Sequence, residues 1–127
     1  MKRVDDFGIR VTVIIAGVIT VLFGIWHFFV PWLYSWYGYM AAMPDELINT
    51  ITTTNFFFSI SLVLFGITVI AESSWQWQDK GSIKIVLTVT SILWVIRVVC
   101  QIAWPQGAMI GIHYFILLVS ALTALCL

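Results

Sequence analysis

Four apolar runs, each about 20 residues long, limit what this chain can become more than any other feature of it; they cover roughly 11–30, 47–71, 83–103 and 108–127. The hydrocarbon core of a bilayer is about 30 Å thick, and a helix rising about 1.5 Å per residue crosses it in about 20 residues. Lipid offers no partner to an open backbone N–H or C=O, so runs of this length have to be helical. The expected fold is therefore all-α. It is an integral membrane bundle of four antiparallel transmembrane helices, a single domain spanning residues 1–127. Only 9% of the residues are charged, against about 25% in soluble domains, and no polar run is long enough for a separate soluble domain. The net charge of zero excludes the electrostatic footprint of a nucleic-acid binder.

The breaks between the runs have local causes. Pro31 is expected to end the first span. Pro44 with Asp45 and Glu46 starts the second, because proline suits a first helical turn and acids favour a helix N-terminus. "AESSWQWQDKGS" reads as the polar loop before the third span, and "WPQG" as a tight turn before the fourth. The start "MKRVDDFGIR" has basic residues before an apolar run, as a signal peptide does. No A-x-A-like cleavage site follows, so the segment reads as a retained helix.

Lysine and arginine set the expected orientation. Lys2, Arg3 and Arg10 precede the first span, and Lys80 and Lys84 lie around the second loop. Residues 31–46 and 104–107 have no basic side chain. Both termini and the second loop should thus face the cytoplasm, in a bacterial-type plasma (inner) membrane. Trp26, Trp32, Tyr34, Trp36, Tyr37 and Tyr39 would form an outer aromatic belt, with Trp75 and Trp77 at the inner surface. Cys100 and Cys126 fall near opposite faces in this topology and should be free thiols.

Nine of the charged side chains then lie at the inner face, and Asp45, Glu46 and Arg97 do not. Arg97 lies inside the third span, where insertion scales put an arginine at about +2.5 to 3.5 kcal/mol, so it should face the bundle interior with a partner. His27, Asn55, Arg97 and His113 fall at similar depth in the outer half, one per helix. Helical spacing groups Gly17, Thr20, Gly24 and His27 on one face. It does the same for Asn55, Ser59 and Gly66, for Thr90, Trp94, Arg97 and Gln101, and for His113, Ser120 and Thr123. Small residues let membrane helices approach closely, so these faces should turn inward around an outer-half pocket.

His27, Asn55, Arg97, Gln101 and His113 are the expected ligand-binding residues. The bland alternative is structural: Arg97 paired with Glu46 or Asp45, and each histidine a hydrogen-bond partner between helices. His27 and His113 on facing helices also suit a b-type haem, with Arg97 on a propionate. A zinc or copper site wants three or four ligands, and no such set is expected. No serine or cysteine has an evident base beside it, so catalysis is not the expected role.

Gly24, His27, Phe28, Pro31 and Tyr34 read G-x-x-H-F-x-x-P-x-x-Y, followed by Pro44 and Leu47 as P-x-x-L. This run, over roughly residues 20–66, resembles the DoxX-like family of small four-helix membrane proteins. The resemblance implies a four-helix bundle, often linked to membrane redox or quinone-associated systems. Asn55 and Ser59 stand where members often carry an acidic residue, and the "CQIAWPQGAM" junction does not match the family.

The size is small for an alternating-access transporter, which pairs two repeats around a midplane site. The first span lacks the embedded acid of dual-topology exporters, and no charged ring suggests a channel. The leading expectation is a protein that binds an amphipathic ligand, a quinone or lipid, as an accessory to a membrane redox system. The alternatives are a haem- or quinone-linked redox subunit, and a structural subunit of a homo-oligomer or larger membrane complex.

Overall fold

In the computed structural model, the described residues are 2–75, 80–103 and 110–126, and among them there is no strand. The helices are α1 (Lys2–Leu33), α2 (Trp36–Tyr39), α3 (Asp45–Trp75), α4 (Lys80–Ala103) and α5 (Ile110–Cys126). Three stretches, Phe7–Leu33, Asp45–Trp75 and Gly81–Cys100, are long and apolar enough to cross a membrane. In α5, 17 residues are described. The 32 residues of α1 and 31 of α3 rise about 48 and 46 Å, more than the about 30 Å of hydrocarbon. Their ends therefore reach past the lipid tails.

Pro31 does not end the first helix as expected; it is buried inside the last turn of α1. A proline removes one donor and crowds one carbonyl of the preceding turn, and a helix this close to its end tolerates both. Helical pairing goes on past it, with the Tyr34 N–H donating to the Val30 carbonyl at 3.0 Å. The stop comes from Ser35, whose φ of 52° and ψ of 38° are left-handed, a C-terminal device that glycine usually supplies. The N–H of Ser35 donates back to the Trp32 carbonyl at 3.2 Å. The short α2 follows, and then α3, which starts two residues before the expected 47. Asp45 and Glu46 occupy its first turn, and the Pro44 carbonyl accepts from the N–H groups of Leu47 and Ile48.

The tightest seam joins α1 to α3, which run antiparallel. A Cβ on Gly17 would sit 3.1 Å from the Gly66 carbonyl, and one on Gly66 would sit 2.7 Å from the Gly17 carbonyl. Seven residues further along α1 and seven back along α3, a Cβ on Gly24 would meet the Ser59 carbonyl at 2.9 Å. At these points the backbones touch, which only residues without a larger side chain permit. The same register continues at both ends. Arg10 donates from Nε to the Ser73 carbonyl at 2.8 Å and from Nη2 to the Ser74 carbonyl at 2.6 Å. Those carbonyls belong to the last described turn of α3, and the guanidinium fork spans both. At the other end Asn55 of α3 donates to the His27 carbonyl of α1 at 2.9 Å.

Helix α1 lies against both α3 and α5, and so does α4. Trp94 of α4 reaches α1 from this diagonal position, and its indole N–H donates to Thr20 Oγ1 at 3.1 Å. Thr20 in turn donates to the Ala16 carbonyl at 2.8 Å. Phe23 and Trp94 form the apolar centre, with Trp26, Leu62 and Val119 packed on it. Among the described residues the largest fully buried side chains are Val69 and the hydroxylic Thr20, Ser59, Ser73, Thr90, Ser120 and Thr123. Large apolar side chains such as Phe57, Leu64, Ile85 and Leu118 are exposed. This arrangement suits a chain surrounded by lipid, where close backbone approach and hydroxyl bonding replace hydrophobic burial. Trp32 and Tyr39 at one end and Trp75 at the other are exposed, as interfacial anchors would be. Trp26, expected in the outer belt, is instead half-buried against Phe23, at 5.3 Å between ring centroids. Trp77 lies outside the described residues.

Candidate functional site around His27

His27 lies on the inward face of α1 and is 8% exposed. Its Nδ1 is 3.0 Å from the Phe23 carbonyl one turn earlier. A carbonyl can only accept, so Nδ1 carries the hydrogen and, in a neutral ring, Nε2 is left as a bare acceptor. Three aromatic rings hold the imidazole. Phe23 lies at 4.8 Å, Trp26 at 5.0 Å edge-on, and Phe58 of α3 at 5.1 Å edge-on. The ring is thereby fixed in orientation as well as in tautomer.

The His27 backbone is equally specific. In an unbroken helix the N–H four residues on would donate to its carbonyl, and that residue is Pro31, which has none. Asn55 supplies the missing donor from the neighbouring helix. An open carbonyl in hydrocarbon is costly, so this bond accounts for a half-buried asparagine deep in α3. Ser59, one turn further, donates to the Asn55 carbonyl at 2.7 Å.

Arg97 is half-buried on α4, within electrostatic reach of the His27 ring. The Trp94–Thr20 bond fixes the level, since it puts Arg97 about one turn beyond Trp94 toward the Leu33 end of α1. Cys100, another turn along, is a half-buried free thiol near the guanidinium. Val119 of α5 packs on Phe23 and Trp94. Position 113, six residues before it in α5, therefore falls toward the same end of the molecule as His27. The side chains of Gln101, His113 and Cys126 lie outside the described residues. Asp45 and Glu46 are exposed in the first turn of α3.

The structure thus brings together His27 and Asn55 through a backbone bond, and it places Arg97 toward the same end of the molecule. Two open surface hollows among the described residues lie elsewhere. One is lined by Glu46, Asn49, Thr50, Thr53 and Thr54 of α3, the other runs along α4. Among the described residues no three His, Cys, Asp or Glu side chains group as metal ligands would. Phe58, which holds the imidazole, and Arg10, which caps α3, were not among the residues the sequence singled out for those roles. Arg10 counted there only as a topological charge. An imidazole acceptor and a guanidinium donor toward one end of the bundle, in surroundings of low dielectric, are the chemistry that holds a carbonyl, hydroxyl or phosphate group. Comparison with protein-family models, curated proteins and solved structures finds no match to this chain.

Proposed function

We propose that this chain is a four-span antiparallel membrane bundle that binds the polar head of an amphipathic ligand, a quinone or a lipid, between His27 and Arg97. Gln101 and His113 would complete the set, and the protein would serve as an accessory to a membrane redox system. The observation that carries this reading is a half-buried arginine within reach of a buried, orientation-locked histidine. Neither group is cheap inside a membrane, and ionisable residues there mark ligand or proton paths. α5 enters as the fourth span because its 17 described residues meet the lower limit of about 17 for a crossing. The lysine and arginine distribution puts both termini on the cytoplasmic side of an inner membrane. Membership of the DoxX-like family is part of the proposal, carried by Gly24, His27, Phe28, Pro31 and Tyr34.

The test is mass spectrometry of gently purified protein, with a visible spectrum. Arg97→Ala should abolish retention of a co-purified quinone or lipid that the wild type keeps. Unchanged lipid content and thermal stability in that variant would refute the reading, and a Soret band would transfer His27 and His113 to haem.

A second reading, a structural subunit of a larger membrane complex, is favoured by the internal bonding of Asn55 and Thr20. It predicts full function in His27→Phe and migration as an intact hetero-complex in mild detergent.

A further inference from the structure

One face of α4 carries an open groove. Lys84 stands at its start, Thr88 and Ser91 follow within two turns, and Ile92, Val95 and Ile96 continue it. The spacing of three and four residues means that the groove runs along the helix and not across it. Between Lys84 and Ile96 the helix rises about 18 Å, while one leaflet contributes about 15 Å of hydrocarbon. Lys84 is about 6 Å from the first residue of α4 and exposed, so its ammonium can sit at headgroup level. Ser91 is half-buried, and the remaining lining residues named here are exposed. The Thr88 hydroxyl donates to the Lys84 carbonyl at 2.7 Å, so its polar group is satisfied within the helix and it lines the groove by shape.

Charge at the interface, hydroxyls just below it, and branched apolar side chains for the rest of one leaflet follow the order of groups in a phospholipid. The geometry points to a binding site for an anionic phospholipid of the leaflet at the Lys84 end. Its phosphate pairs with the Lys84 ammonium, its glycerol-ester region meets Thr88 and Ser91, and one acyl chain lies along Ile92, Val95 and Ile96. The Lys84 cation selects an anionic headgroup, because a zwitterionic lipid already neutralises its own phosphate. None of these residues belongs to the His27 site, so the assignment is independent of the function proposed above.

Native mass spectrometry of the full chain tests it, with phosphatidylglycerol and phosphatidylcholine of equal chain length as probes. Wild type should retain phosphatidylglycerol preferentially. Lys84→Ala should lower that preference about fivefold, the equivalent of about 1 kcal/mol per basic residue near an anionic surface. Lys84→Arg should keep it, and Val95→Trp, which fills the groove from an exposed position, should weaken retention of both lipids. Arg97→Ala should leave the preference intact, which separates this site from the His27 site. Equal retention of the two lipids by wild type would overturn the assignment. So would a preference that survives Lys84→Ala, or retention of both lipids unchanged in Val95→Trp.

Discussion

The side-chain amide of Asn55 donates to the main-chain carbonyl of His27, the carbonyl that Pro31 deprives of its own helical donor. Two departures from a regular apolar helix, a proline on one helix and an asparagine on the next, thus answer each other. Replacing Asn55 by Ala should cost about 1 kcal/mol, within the range for hydrogen bonds inside membranes. In Pro31→Ala the N–H returns to the helix, and the same Asn55→Ala change should cost much less. A double-mutant cycle measured by reversible unfolding in mixed micelles checks this. Additive effects would mean that the two residues are not coupled.

Gly66→Ala should destabilise by about 1–3 kcal/mol, as overpacking does, since its Cβ would meet Val21 N at 2.8 Å and the Gly17 carbonyl at 2.7 Å. Backbone atoms cannot turn aside as a side chain can. Gly8→Ala and Gly111→Ala meet nothing within 4 Å and should be neutral, or stabilising by about 0.5–1 kcal/mol from helix propensity. Thermal midpoints of the three variants suffice to rank them.

Thr20→Val should cost more than the loss of one hydroxyl suggests, because it strands the indole N–H of a 3% exposed tryptophan. Once Trp94→Phe has removed that N–H, Thr20→Val should add little. The expected coupling is about 0.6–1.7 kcal/mol, as for other hydrogen bonds between membrane helices. A shift of tryptophan absorption in Thr20→Val would report the stranded donor directly.

Arg10→Ala should loosen the last turn of α3, whose Ser73 and Ser74 carbonyls lose their shared donor. Amide exchange should rise there while the central turns near Gly66 stay protected. Arg10→Lys should recover part of the effect, since an ammonium cannot span two carbonyls as the guanidinium fork does. Equal exchange in all three proteins would show that the cap contributes nothing.

Much of the packing was legible before any coordinates. The faces carrying Gly17, Thr20, Gly24 and His27, or Ser59 and Gly66, stand out because small and polar residues interrupt oily helices at helical spacing. All six are buried. Pro31 was misread because a proline signals a lost donor but not whether the turn around it survives. Trp26 was misread because aromatic residues near a span's end look alike, whether they face headgroups or the core. Asn55 was found, but its partner was not: a main-chain carbonyl carries no sequence signature, and only the fold shows which one a proline has opened. Whether the site extends beyond His27 and Arg97 turns on Gln101 and His113. Their helices, α4 and α5, are readable from hydrophobicity alone, whereas side-chain direction depends on how the helices pack.

The seven-residue repeat along the α1–α3 seam has an ambiguity built into it. Slide one helix past the other by two turns and small residues still meet: Gly24 would face Gly66, and Gly17 would face Ser73. Glycine alone therefore permits two alignments of the hairpin. The polar contacts at its ends do not repeat in the same way. In the shifted alignment Arg10 would run past the end of α3, and the carbonyl opened by Pro31 would lose Asn55. Arg10 and Asn55 act as the two dowels of the joint, and through them a contact surface made of almost featureless residues is assembled in only one way.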